Sequence, residues 1–215
     1  MDMTEIRKCL DLLEQLTPKP RPGRSSMTAV DLFAGWGGFS LGAEQAGAEV
    51  LWAANHWPLA VQAHSDNLPH ADHVCQDLRQ ANFHDMPDHD LLLAAPACQG
   101  HSQASQPKRR AYHDDLRATA WAVVTAAEAK LPEVLVVENV TDFLRWKLYP
   151  VWREALTQLG YTLSEHHLTA SHFGVPQRRK RLFIVGSRSK HPLPLRFRVS
   201  PEPGFRSCID ETANG

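Results

Sequence analysis

The residue of this chain best placed for chemistry is a cysteine in a tight turn. Cys98 belongs to residues 96–102, PACQGHS, which directly follow the apolar run LLLAA at 91–95. A thiol at the end of a strand can act as a nucleophile once it has lost its proton. Buried cysteines without a chemical role are also common, so the interpretation depends on what else reaches the same edge of the fold.

Three further segments lie at the edges of predicted strands. Residues 31–38 read DLFAGWGG, residues 138–140 read ENV, and residues 177–181 read QRRKR. The glycines of the first segment allow backbone N–H groups to approach a ligand. Glu138 ends an apolar run, so it would bring a carboxyl group to the same sheet edge as Cys98, where it could act as a general acid. A cap for the following helix is the alternative role of Glu138.

The elements between these segments alternate between strand and helix. Apolar runs predict strands at about 28–33, 49–54, 73–75, 90–95, 133–138, 162–169 and 181–187. Helical spacing predicts helices at 38–45, 58–67, 117–130 and 148–158. This order indicates an α/β fold with a doubly wound, mostly parallel sheet, whose ligands bind outside the carboxyl ends of the strands.

Length and composition favour one catalytic domain at 27–190. A short helix and a proline-rich linker are expected at 1–26, and an extension at 191–215. The net charge of −1 means that nucleic-acid binding would need local clusters of basic residues. Four scattered cysteines favour a reducing, cytoplasmic compartment, and no signal or membrane segment is expected. The twelve histidines show no metal-ligand spacing, so no metal is predicted.

In this order, the four segments resemble the DNA cytosine-5 methyltransferases over about residues 28–188. The resemblance implies a Rossmann-like methyltransferase fold that binds S-adenosylmethionine and methylates C5 of cytosine in DNA. Cytosine C5 is a poor nucleophile, so Cys98 would first add to C6 of the ring. The target base would have to rotate out of the duplex to reach the thiol.

The resemblance also implies individual roles. Cys98 would be the nucleophile, Glu138 the acid at cytosine N3, and Arg179 a base-pocket residue. Residues matching the cofactor motifs are Asp31, Phe33, Ala34, Gly35, Gly37, Gly38, Asn55, Asp77, Leu78 and Pro96. Residues expected near the substrate are Ala97, Gln99, Ser102, Asn139, Gln177 and Arg181.

Several of these roles have alternatives in the sequence. Asn55 stands where the family has an acidic residue on the ribose, and Ala97 stands where the family has a second proline. Asp77 could bind the adenine amino group or stabilise a turn. Asn139 is expected to orient Glu138, and Arg181 to support the pocket. The basic segment 106–110, QPKRR, fits a loop that contacts phosphates.

The family continues into a target-recognition domain and a last conserved helix, and residues 191–215 resemble only the approach to that domain. We therefore expect a second part, on another polypeptide or in a longer chain, to supply recognition. Alone, the 215 residues are expected to bind cofactor weakly and to methylate poorly. Two alternatives stay open, an RNA cytosine-5 methyltransferase and an inactive subunit that binds S-adenosylmethionine. The joint presence of Cys98, Glu138 and Arg179 disfavours the inactive subunit. Restriction-modification, phage defence and regulation are all compatible with the sequence.

Overall fold

The computed structural model describes residues 26–97, 110–189, 191 and 193–199, with side chains omitted at 110–118. The predicted N-terminal helix, Cys98, Gln99, Ser102 and the end of the chain lie outside the described residues.

A seven-stranded sheet with the order β3-β2-β1-β4-β5-β7-β6 forms the centre of the fold. Strands β1 to β5 run parallel to their neighbours, and β7 runs antiparallel to both β5 and β6. The strands are β1 Met27–Leu32, β2 Ala48–Asn55, β3 Asp72–Cys75, β4 Leu91–Ala94, β5 Val134–Asn139, β6 Thr162–Thr169 and β7 Lys180–Ser187. The helices are α1 Gly38–Gln45, α2 Pro58–Asn67, α3 Arg110–Lys130 and α4 Tyr149–Gln158. The predicted α/β class with a mostly parallel sheet is confirmed.

Every predicted strand and every helix predicted between residues 27 and 187 is present. The largest difference is α3, which begins at Arg110 rather than at residue 117. Residues 110–116 read RAYHDDL and lack an apolar stripe, so their helical state leaves no periodic signal. The antiparallel β7 follows from the short connection between β6 and β7, because a parallel pair would need a crossover of a dozen or more residues.

Apolar side chains cover both faces of the central strands. On one face, Val30, Leu92 and Leu135 are fully buried with the aromatic residues of α4 and its neighbours. On the other face, Ala29, Val50 and Leu93 are buried against α1. Burial on both faces holds the strand ends in place, which matters because the segments predicted to do chemistry begin there.

Backbone hydrogen bonds continue the sheet past the strand ends. Ala34 N–H donates to the Ala54 carbonyl at 3.0 Å, and Ala95 N–H donates to the Leu32 carbonyl at 3.1 Å. Gln76 N–H donates to the Asn55 carbonyl at 3.0 Å. The loops after β1, β3 and β4 therefore leave the sheet from fixed points on one edge.

Within the described part of the chain, no helix combines the length and the apolar character that crossing a membrane requires. The same residues contain no group of three or more His, Cys, Asp or Glu side chains arranged to hold a metal ion.

Candidate active site

The loop between β1 and α1 has an unusual backbone. Phe33, Gly35 and Gly37 have φ angles of 61°, 55° and 91°, all in the left-handed region. Gly37 is the N-cap of α1 and offers no side-chain hydrogen bond to the first helical turn. Gly38, at the start of the helix, has no atom within 4 Å of where a Cβ would stand. The loop thus presents backbone to a ligand, with no side chain at the N-cap position of α1.

Asp31 lies beneath this loop, and its accessible surface is 0%. The Ser40 hydroxyl donates to Asp31 Oδ2 at 2.6 Å, while Asp31 Oδ1 has no hydrogen-bond partner among the described residues. Burial raises the pKa of Asp31 to about 7, against the lowering effect of the Ser40 hydroxyl. The contact between Asp31 and the cofactor stays a prediction, since the visible partner of its carboxyl group is α1.

Asn55 and Asp77, the residues predicted to contact the ribose and the adenine, differ in how many of their polar atoms are already hydrogen-bonded within the protein. Asn55 Oδ1 accepts from Trp57 N–H at 3.0 Å, which leaves the amide nitrogen of Asn55 as a donor. Asp77 Oδ1 accepts from the backbone N–H of Arg79 at 3.0 Å, and the Asp77 carboxylate also pairs with the Arg79 side chain at 2.6 Å. The hydrogen bond from Arg79 lowers the pKa of Asp77. These contacts support the turn-stabilising alternative for Asp77. Leu78 is 2% exposed and packs in the core.

Two exposed tryptophans border the loop, and the motif analysis did not assign them a role. Trp36 and Trp57 meet edge to face with ring centroids 5.3 Å apart. Their exposed fractions are 56% and 46%, which is high for large aromatic side chains. Their positions in the sequence could have indicated a role at this loop, since Trp36 lies inside the glycine turn and Trp57 lies just after β2.

Glu138 lies near the carboxyl end of β5 and is partly buried. Its Oε1 lies 2.9 Å from Arg181 Nε and 3.8 Å from Arg179 Nη2. Burial raises the pKa of Glu138, and the charges of Arg181 and Arg179 oppose that rise. Glu138 therefore holds a proton to a higher pH than an exposed glutamate would.

A concave pocket of about 360 Å³ opens beside this carboxyl group. Its wall is mostly apolar, with charged groups at a few points. The lining residues are Glu138, Leu168, Ala170, Phe173, Arg179, Arg181 and Phe183. The Phe183 ring meets the Phe39 ring of α1 edge to face, with centroids 6.2 Å apart. The pocket and the glycine loop are thus neighbours across one aromatic contact.

Asn139 connects the segment before Cys98 to the strand that carries Glu138. Asn139 is 1% exposed, and its Nδ2 donates to the Pro96 carbonyl at 3.2 Å. Its Oδ1 accepts from Val140 N–H at 2.9 Å. Ala97 is the last described residue before Cys98. The hydrogen bond from Asn139 thus fixes Pro96, near the end of the described segment, against the end of β5.

The predicted arginines do not contribute equally to this site. Arg181 has the shorter contact with Glu138 and a side chain that is 22% exposed, whereas the Arg179 side chain is 50% exposed at the rim. Gln177 is exposed in the loop before β7, where its N–H donates to the Val175 carbonyl at 2.7 Å. Arg181 is thus the principal partner of Glu138, as expected for a residue that supports the pocket.

Comparisons with known proteins agree with these motifs. The type II methyltransferase M.NlaX of Neisseria lactamica is 36% identical over 180 residues, which cover 81% of this chain and 55% of that protein. M.NgoBV of Neisseria gonorrhoeae is 31% identical over 198 residues, covering 84% of this chain and 46% of that one. The chain thus spans about half the length of these relatives.

A solved structure supports the fold. The Dnmt2 methyltransferase of S. pombe superimposes with a TM-score of 0.63 at 22% identity, covering 77% of this chain and 51% of that one. The family model for C-5 cytosine-specific DNA methylases matches residues 27–211, which include the described edge of the sheet. The chain belongs to the C-5 cytosine-specific DNA methylase family.

Proposed function

We propose that this chain carries the catalytic half of a DNA cytosine-5 methyltransferase, which transfers a methyl group from S-adenosylmethionine to C5 of an extruded cytosine. One observation carries the proposal. Glu138, a carboxyl group with a raised pKa, opens into an apolar pocket next to Asn139, which holds the segment leading to Cys98. A general acid and a nucleophile would then face the same small ring.

The described residues fit S-adenosylmethionine. The left-handed turn at Gly35 and Gly37 exposes backbone, and the N-cap residue of α1 has no side chain that would compete with a carboxylate. Asn55 can donate to a ribose oxygen through its amide nitrogen. Trp36 and Trp57 offer apolar rings at the rim of the loop. When bound, the cofactor supplies an electrophilic methyl group.

The proposed chemistry at the base balances around two protons. The Cys98 thiolate forms a bond to C6, and the electron pair displaced from the ring draws the Glu138 proton onto N3. C5 thereby gains the electron density needed to accept a methyl group. C5 would then bond to the methyl carbon as the bond from that carbon to the sulfonium sulfur breaks, with its electron pair staying on that sulfur. A base such as water would remove the C5 proton, and the C–H electron pair would re-form the C5=C6 double bond. The C–S bond to Cys98 would break with its electron pair returning to sulfur, while the N3 proton returns to Glu138.

The pocket walls explain how Glu138 can supply that proton. Apolar neighbours such as Phe183 and Leu168 disfavour the charged carboxylate, while Arg181 prevents complete neutralisation. Arg179, exposed at the rim, is free to turn its planar guanidinium toward the base oxygen. A cytosine can enter only when it has left the base stack.

The proposal also concerns how the target sequence in DNA is recognised. The matched relatives are about twice as long as the aligned region. We propose that a part outside these 215 residues, in a longer chain or on another polypeptide, provides sequence recognition and completes the cofactor pocket. Specific methylation by the 215 residues alone should then be slow.

The test is covalent trapping with a duplex that contains 5-fluorocytosine and with S-adenosylmethionine present. Fluorine at C5 blocks the final elimination, so even a slow enzyme accumulates a covalent adduct. We expect an adduct with the wild-type chain and none with Cys98→Ser. Cys75→Ser is the matched control, because Cys75 is an exposed free thiol that does not line the pocket beside Glu138, and its loss should leave the adduct unchanged.

Two results would count against the proposal. An adduct that still forms with Cys98→Ser would show that Cys98 is not the nucleophile. A wild-type chain that binds the cofactor by calorimetry, yet forms no adduct at high concentrations of the modified duplex, would contradict the covalent step.

A further inference from the structure

A row of polar side chains runs through the interior below the glycine loop. It joins four elements of the fold: Asp31 on β1, Ser40 on α1, His64 on α2 and His73 on β3. The Ser40 hydroxyl lies 2.6 Å from Asp31 Oδ2 and 3.1 Å from His64 Nε2. The other nitrogen of His64, Nδ1, lies 2.8 Å from His73 Nε2. Asp31 and Ser40 are 0% exposed and His64 is 1% exposed, so water cannot replace these contacts.

The three contacts of the row are consistent with a single direction of hydrogen-bond donation, toward Asp31. A serine hydroxyl carries one proton, so when Ser40 donates to the Asp31 carboxylate it must accept from His64 Nε2–H. His64 Nδ1 then accepts from His73 Nε2–H. Burial lowers the pKa of His64 and favours the neutral ring that this arrangement uses. An apolar side chain in place of His64 would leave the Ser40 oxygen without its donor and His73 Nε2 without its acceptor, while Ser40 would keep its bond to Asp31.

His64 also touches the loop itself. A Cβ added at Gly37 would lie 3.1 Å from His64 Cδ2 and 3.4 Å from His64 Nε2, so the ring supports the backbone where the loop enters α1. Ser40 lies in the first turn of the same helix. The histidine thus holds the end of the glycine loop by packing and the start of α1 by a hydrogen bond.

We propose that His64 is a positioning residue, which fixes the glycine loop and the first turn of α1 in the conformation that binds the methyl donor. The inference rests on the proposed function, because that function makes this loop the cofactor site. His64 acts through Gly37 and Ser40 and needs no contact with the cofactor itself. The role depends on a buried side chain that donates a hydrogen bond to Ser40.

Three variants separate this role from general support of the fold. His64→Leu fills the space but removes both polar atoms, whereas His64→Gln keeps an amide donor that can reach Ser40. His70→Ala is the matched control, because His70 is an exposed histidine that pairs with Glu44 in the last turn of α1, whereas Ser40 lies in the first turn. For each full chain, calorimetry gives the dissociation constant for S-adenosylmethionine, and hydrogen exchange without cofactor gives the protection of residues 34–41.

We expect His64→Leu to weaken cofactor binding about tenfold or more, since that corresponds to about 1.4 kcal/mol, the scale of one lost buried partner. Exchange at residues 34–41 should accelerate in the same variant. His64→Gln should recover most of the affinity, and His70→Ala should match the wild type. If His64→Leu does not fold, Ser40→Ala tests the same hydrogen bond from the other side, with the same expected loss of affinity and faster exchange.

The outcomes distinguish the two proposals. A wild-type chain that fails to bind S-adenosylmethionine at any concentration tested would overturn the proposed function and this inference with it. Binding by the wild type together with unchanged affinity and unchanged exchange in His64→Leu, or in Ser40→Ala if that variant is used, would overturn the inference alone. A loss of affinity that His64→Gln does not recover at all would also contradict it, because the hydrogen bond would then have no part in the effect.

Discussion

Two buried carboxyl groups on the sheet show how one kind of side chain can serve two purposes. Asp31 lies one residue before the end of β1, and Glu138 lies one residue before the end of β5. Burial raises the pKa of both groups. Among the described residues, Asp31 has a serine hydroxyl as its partner and no ion pair, whereas Glu138 has two arginines and a pocket.

The difference shows what burial alone does not achieve. Asp31 can keep its proton, but it is fully enclosed. Its carboxyl group can therefore stabilise only α1 and the neighbouring loop. Glu138 keeps its proton less firmly because of Arg181, and its pocket admits a ring. A carboxyl group suited to acid catalysis needs both a raised pKa and access to the substrate.

Glu138→Gln should produce the largest effect. The amide can hydrogen-bond to N3 but cannot deliver a proton, so methyl transfer should slow by roughly 10²- to 10⁴-fold, the usual contribution of a general acid. Single-turnover transfer of labelled methyl groups measures this rate. Glu165→Gln is the control, since Glu165 pairs with Arg153 and Tyr149 away from the pocket and should leave the rate unchanged. Equal rates for wild type and Glu138→Gln would remove Glu138 from the mechanism.

Arg181→Ala should change the pH dependence more than the fold. Arg181 lowers the pKa of Glu138 from 2.9 Å, so its removal should raise that pKa further. The protonated acid would then persist to higher pH. The alkaline limb of the plot of rate against pH should therefore shift to higher pH. Arg179→Ala should move the limb less, because its contact is 3.8 Å and more exposed. A larger shift in Arg179→Ala would reverse the assigned order of the two arginines.

Asp31→Asn should have the smallest effect on chemistry and a measurable effect on stability. The pKa of Asp31 in the folded chain, about 7, exceeds the ordinary value of 3.8. The carboxyl group therefore stabilises the fold fully below pH 3.8, and this contribution is lost as the pH rises toward 7. The upper limit of the loss is about 4 kcal/mol.

Asparagine keeps an acceptor for Ser40 but does not titrate. The free energy of unfolding of Asp31→Asn, relative to the wild type, should thus increase between pH 4 and pH 8, by roughly 1–3 kcal/mol. Urea unfolding at several pH values measures the difference. Asp66→Asn, at an exposed position of α2, should show no such trend. A constant difference for Asp31→Asn across this range would mean that Asp31 is ionised in the fold as in the unfolded chain.

Sequence periodicity predicted the strands and most of the helices because each buries an apolar face on a common sheet. It also placed Glu138 and the glycine turn at strand ends. The pairing of β7 between β5 and β6 could not be read in this way, since strand order depends on packing between elements distant in sequence. The beginning of α3 was missed because its first residues are polar.

The site shows the same limit more clearly. Arg179 and Arg181 occupy one motif, and only the geometry shows which one contacts Glu138 more closely. No role was predicted for His64, which is buried and contacts side chains of α1 and β3. The contacts of His64 join residues that are 9 and 24 positions apart in the sequence, and no local sequence pattern encodes such contacts.

A crystal structure of the chain trapped on a 5-fluorocytosine duplex tests the central claim most directly. The account predicts a bond between Cys98 Sγ and C6 of the extruded base, with the Glu138 carboxyl group about 2.6–3.2 Å from N3 of the same ring. An adduct in which Glu138 remains bound to Arg181 and makes no contact with the base would contradict the account.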